Sequence, residues 1–159
     1  MASEQEHISK ANRNGDFLDQ QLAAAMSYDD WIAVAAFYKA VQIAEAIFAK
    51  LQPSDTAHSV SHKKRNAILK RDYPRIWRPY YQLFRTSLVA RYLEVGHTGA
   101  AFPTFANFMT HDDLVDDLLG VELIKVETEA ASLLSAGHGL KRYELILLPP
   151  NDSFARGPV

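Results

Sequence analysis

The stretch from Asp30 to Lys50, DWIAVAAFYKAVQIAEAIFAK, constrains the fold of this chain more than any other. It is apolar on nearly every side, and a helix of that kind is stable only when other elements surround it. Ala33, Ala35, Ala36, Ala40 and Ala44 allow close neighbours, and Asp29 or Asp30 is a good N-cap. The expected fold is therefore all-α, with this helix at its centre. No apolar run approaches the roughly 18 to 20 residues of a membrane span, so no membrane is expected. The polar, acidic start MASEQEHISK does not read as a signal peptide. The absence of cysteine excludes disulfides, zinc-thiolate sites and cysteine nucleophiles, and a cytoplasmic location is expected.

Three further long helical stretches read as packing around the centre. The first runs from about His7 to Ala25, with Ile8, Ala11, Phe17, Leu18 and Leu22 apolar and Asn14-Gly15 as a turn signal that can split it. After a break at Gln52-Pro53-Ser54-Asp55, Ser61 can cap a short helix from His62 to about Arg71. Pro74 ends that piece or begins another, and Pro79 reads as the first residue of a helix reaching Glu94. On it Tyr80, Leu83, Phe84, Ser87, Leu88, Arg91 and Tyr92 share a face expected to pack inward. A loop from Gly96 to Met109 leads to Thr110, which can cap a last helix from His111 to about Ser135, with Asp113 at the capping-box position. Leu114, Leu118, Val121, Val126 and Leu133 mark its buried side, and Gly137 and Gly139 stop it. The expected architecture is an antiparallel up-and-down four-helix bundle over residues 1–142, its third helix broken by prolines. Residues 143–159 are expected to form an extended arm, YELILL, followed by a disordered tail; YELILL also suits an added strand.

Net charge is only -2, but it is unevenly spread. Lys63, Lys64, Arg65, Lys70, Arg71, Arg75, Arg78, Arg85 and Arg91 are opposed in their segment by Asp72 alone. Asp112, Asp113, Asp116, Asp117, Glu122, Glu127 and Glu129 are opposed in theirs by Lys125 alone. Two readings stand. The basic segment, interleaved with Tyr73, Trp77, Tyr80 and Tyr81, can hold a phosphate backbone and stack bases, with Lys63, Lys64, Lys70, Arg71, Arg75 and Arg78 as nucleic-acid contacts. Or it faces the acidic helix, within one chain or across a dimer.

The order of DWIAVAAFYKAVQIAEAIFA, then HSVSHKKRN, then YYQLFRTSLVARY resembles small bacterial proteins of the HEPN (higher eukaryote and prokaryote nucleotide-binding) superfamily. The resemblance covers about residues 7 to 95, and its strongest part is His62-x-x-Arg65-Asn66. It implies a HEPN-like four-helix bundle that pairs as a homodimer, and a metal-independent endoribonuclease of a toxin–antitoxin or defence type, needing no cofactor. The implied partners are RNA or a nucleotide, and an antitoxin or another protein. The implied catalytic residues are His62, Arg65 and Asn66. Arg91 and His97 are a second candidate pair, matching the family's arginine–spacer–histidine signature. Histidine can move a proton near neutral pH, and arginine can stabilise charge building on phosphorus. In the family pattern histidine follows the Arg-Asn pair, whereas here AILKRD follows it and His62 precedes it; Gln42 stands where relatives commonly carry a histidine.

Each candidate has a plainer reading. HSVSHKKRN can be a polar helix start with His58 an ordinary loop residue, Arg91 can bond helix-end carbonyls, and His97 can be a solvent-exposed loop residue. HDDLVDD offers Mg²⁺ oxygen ligands one turn apart, but acids in a first helical turn are already favoured by the helix dipole. Three functions compete: a ribonuclease, a non-catalytic HEPN dimer binding RNA, a nucleotide or a protein, and a structural subunit whose arm joins an assembly.

Overall fold

A computed structural model of the chain describes residues 2–24, 26–51, 61–94 and 99–144. It is all-helical: α1 (Glu4–Ala23), α2 (Asp29–Leu51), α3 (His62–Asp72), α4 (Pro74–Tyr92), a 3-10 turn (Phe105–Asn107), and a last helix in three pieces. Those pieces are α5 (His111–Asp113), a π-helical stretch (Leu114–Leu123) and α6 (Ile124–Ala131). Among the described residues the only β-type pairing is an isolated bridge between Glu94 and Ala101.

α2 is the centre, as its composition requires. Ile32, Ala33, Ala36, Phe37, Ala40, Ile43, Ala44, Ala46, Ile47 and Phe48 are all fully buried. Contrary to expectation, α2 is long and apolar enough to cross a membrane by length and composition alone, with a best-window mean hydropathy of 1.5. That window is 78% buried inside the protein, as befits a core helix. It packs against α1 on one side, α4 on another, and the last helix on a third.

The other helices form where their ends are satisfied. α1 starts earlier than expected because Ser3 and Glu6 close a capping box: Ser3 Oγ accepts the Glu6 N–H at 3.3 Å, and Glu6 accepts the Ser3 N–H at 2.7 Å. Asn14-Gly15 does not split it. A Cβ on Gly15 would lie 3.0 Å from Lys39 Nζ, so the missing side chain is what lets Lys39 lie against α1. Ser61 caps α3 through the Lys64 N–H, and Thr110 and Asp113 form the expected capping box. α4 begins at Pro74, in the first turn where a missing N–H costs nothing, and Pro79 lies inside it rather than at its start.

Two inward faces differ from the 3.6-residue reading. Tyr92 is 62% exposed, because α4 ends there with Leu93 in the left-handed conformation (φ 55°) and the core has already been passed. Val121 is exposed because the π-helical turns advance the inward face in wider steps, through Leu114, Leu118, Leu119 and Leu123. Phe17 is also partly exposed.

The last helix stops at Ala131, short of Ser135. The chain then turns through Gly137 and Gly139, both at positive φ, and runs on without regular secondary structure as far as Glu144. Side chains replace a neighbouring strand for this segment: Asn12 bonds Gly139 O and the Lys141 N–H, Lys39 donates to Lys141 O, and Glu127 accepts the Tyr143 N–H. Tyr143 is thereby buried, and Glu144 follows without strand pairing; the remainder of YELILL lies outside the described residues.

Candidate functional site

His62 opens α3, and one helical turn later Arg65 points the same way, into the core. Arg65 is only 7% exposed, and a buried guanidinium needs a counter-charge. Glu45 of α2 supplies it: Arg65 Nε donates to Glu45 Oε1 at 2.8 Å. At its other end Arg65 Nη1 donates to His62 Nδ1 at 2.9 Å. Arginine can only donate, so Nδ1 is the accepting nitrogen and the neutral ring carries its proton on Nε2.

His62 is half-buried in an aromatic setting. Its ring centroid lies 5.5 Å from that of Phe37 and 6.1 Å from that of Phe84. Burial, followed by the positive charges of Arg65 and Arg91, pushes its pKa below the ordinary histidine value. Tyr80 sits beneath the same cluster, 5.7 Å from Phe37, and burial pushes its hydroxyl up to about 12.

The second sequence candidate meets the first. Arg91, on α4, lies 6.0 Å over the Phe37 ring and 5.2 Å over the Tyr92 ring, both within cation–π range. Its Nε donates to Ser87 O at 3.0 Å and its Nη2 to Ser87 Oγ at 3.4 Å, fixing the guanidinium near the end of α4. His62, Arg65 and Arg91 therefore converge around Phe37, although α3 and α4 bring them from opposite ends of the intervening sequence. Asn66 lies on α3 with its Oδ1 buried and without a hydrogen bond among the described residues. His97 and His58 lie outside the described residues.

The basic residues fan out from this point along α3 and the start of α4. Lys63, Lys70, Arg71, Arg75 and Arg78 are exposed and Lys64 half-exposed. Arg71 is held by Asp72 at 2.6 and 2.7 Å. The acidic helix does not neutralise the rest: among the described residues the one ion pair joining the two segments is Arg75 to Glu129, at 4.0 Å. Beside the basic face runs a partly exposed aromatic row, Trp77, Tyr81 and Phe84, with centroids 5.0 and 6.3 Å apart.

Glu45 was not singled out as a site residue from the sequence, and neither was the contact of the inward-packing Phe37 and Phe84 with the His62 ring. The signal for Glu45 was present: a carboxylate inside AVQIAEAIFA must find a cation. Gln42 bonds His7 of α1 at 2.8 Å and takes no part in the cluster. In HDDLVDD, Asp113 is used by the Thr110 cap and Asp29 holds His111 at 2.8 Å; no group of three or more His, Asp or Glu side chains suited to a metal ion occurs among the described residues. Compared with protein-family models, curated proteins and solved structures, the chain matches none.

Proposed function

We propose that the protein acts on RNA as a HEPN-like, metal-independent endoribonuclease in a four-helix, homodimeric arrangement. The observation that carries this reading is the convergence of His62, Arg65 and Arg91 beside Phe37, at the head of a basic face that, among the described residues, meets the acidic helix in a single long ion pair. A phosphate seated there meets the Arg91 guanidinium and the Nε2–H of His62. The RNA 2′-oxygen attacks its own phosphorus, the bond to the 5′-oxygen breaks, and a cyclic phosphate and a 5′-hydroxyl result. Arg91 offsets the charge gathering on the phosphate oxygens, and His62 donates a hydrogen bond to them. The 2′-hydroxyl proton passes to a second base, for which His97 is the candidate; a proton returns to the departing 5′-oxygen. Arg65 holds His62 in the required tautomer.

A second reading is a non-catalytic dimer that binds RNA, a nucleotide or a protein. It is favoured by the burial of Arg65 against Glu45, which keeps that guanidinium from touching substrate. Cleavage of a labelled mixed-sequence RNA in EDTA separates the two. The nuclease reading expects cleavage by wild type and its loss in His62→Ala and Arg91→Ala variants that still unfold cooperatively and are folded at the assay temperature; His97→Ala tests the second base. Folded wild type that binds RNA with steep salt dependence and leaves it intact establishes the binding module.

A further inference from the structure

A shallow cleft of about 280 Å³ lies next to the cluster, between the start of α2 and the end of α4, lined by Asp30, Trp31, Val34, Ala90 and Arg91. Arg91 belongs to both places. Trp31 lines the cleft and is 59% exposed, so its indole is open to a ligand. The cleft is smaller than pockets for drug-sized ligands, which start near 300 Å³, and suits one planar ring. Its walls are an indole and two small aliphatic side chains. Its polar groups are of opposite kinds: a carboxylate, which accepts, and a guanidinium, which donates.

The geometry points to a guanine-binding subsite: the base stacks on Trp31, Asp30 receives its Watson–Crick edge, and Arg91 takes the adjoining phosphate. Stacking on an exposed aromatic is indifferent to base identity. The carboxylate supplies the choice. Asp30 Oδ1 accepts the Trp31 N–H at 2.9 Å, and Oδ2 has no partner among the described residues. A carboxylate accepts from paired N–H donors, and of the four RNA bases guanine alone presents adjacent ring N–H and amino donors on that edge. Adenine and cytosine each place a ring acceptor beside the amino group, which a carboxylate repels; uracil flanks its one N–H with two acceptors. This inference deepens the proposed RNA-acting function and rests on it for the source of the guanine.

The test titrates the full chain, carrying Trp77→Phe so that Trp31 alone reports, with GMP, AMP, CMP and UMP and follows tryptophan fluorescence. GMP is expected to quench Trp31 and to bind about ten-fold or more tighter than the other three. Asp30→Asn, which keeps an oxygen for the Trp31 N–H, should erase that preference, and Arg91→Ala should weaken all four. Equal binding of the four nucleotides, no quenching by GMP, or a preference that survives Asp30→Asn overturns the proposal. A single-guanosine oligoribonucleotide binding at least ten-fold tighter than GMP upholds the site with RNA as its source, and equal affinity upholds it with free nucleotide. The nuclease reading fails separately: GMP selectivity without RNA cleavage keeps the subsite and removes the nuclease, whereas cleavage without base preference keeps the nuclease and removes the subsite.

Discussion

α2 carries two buried charges, Lys39 and Glu45, and their fates differ. Lys39 pairs with Glu127 of α6 at 2.5 Å, and both are essentially without solvent contact. Each is also tied to backbone, Lys39 to Lys141 O and Glu127 to the Tyr143 N–H, so the network closes on itself and clamps the returning chain. Glu45 pairs with Arg65, but that network continues outward, through Arg65 to His62, whose ring is partly exposed beside Arg91. A closed polar network has no group left to offer a ligand. An open one holds a surface side chain in a fixed tautomer and orientation. The comparison separates a structural ion pair from a positioning one, although both look alike in the sequence.

The largest effect should come from breaking the closed network. Lys39→Met leaves Glu127 buried and uncompensated and should cost about 3–5 kcal/mol in urea unfolding. The double variant with Glu127→Leu should recover much of that loss, since replacing a whole buried pair is often neutral. The open network should respond differently. Glu45→Gln should cost about 1.5–3 kcal/mol, the range of a charged hydrogen bond, and should also change RNA cleavage or binding, which Lys39→Met in the folded fraction should not. Equal functional losses in both would erase the distinction.

A smaller effect belongs to Gly15. A Cβ there meets Lys39 Nζ, which Glu127 and Lys141 O hold in place, so Gly15→Ala should destabilise by about 1 kcal/mol despite the better helix propensity of alanine. Acid sharpens the contrast further. The folded pKa of His62 is depressed, so the unfolded chain binds its proton more readily. Its contribution to stability is therefore present above the unfolded value of about 6.5 and is lost as pH falls from there toward the lower folded value. Protonation of the folded protein removes the acceptor for Arg65, so RNA-directed function should fall at the lower end of that window, and His62→Gln should flatten the stability profile across it. The smallest effect is expected on the basic face: Arg78→Ala should change stability by less than about 0.5 kcal/mol and reduce the salt slope of RNA binding by about one.

Local signals were legible where local chemistry decides them. The Ser61 and Thr110 caps and the centrality of α2 all follow from residue type and spacing. The capping box of Ser3 and Glu6 was equally readable, and the start expected at His7 passed over it. The continuity of α1 through Gly15 was not readable, because it depends on a lysine from another helix. Nor was the inward face beyond Leu118, because a 3.6-residue period cannot anticipate π-helical turns. His62 and Arg65 share a face by spacing alone, but their junction with Arg91 needed α3 and α4 to be packed against α2.

By itself, the sequence determined that the chain is helical, that α2 is enclosed, and that one segment is basic and another acidic. These are properties of composition and short-range periodicity, which any compact arrangement must respect. Tertiary structure alone decided which charges meet. Pairing Lys39 with Glu127 and Arg65 with Glu45 spans distant parts of the chain, and each buried charge selects its partner by geometry in a low-dielectric interior, where an unpaired one would not be tolerated.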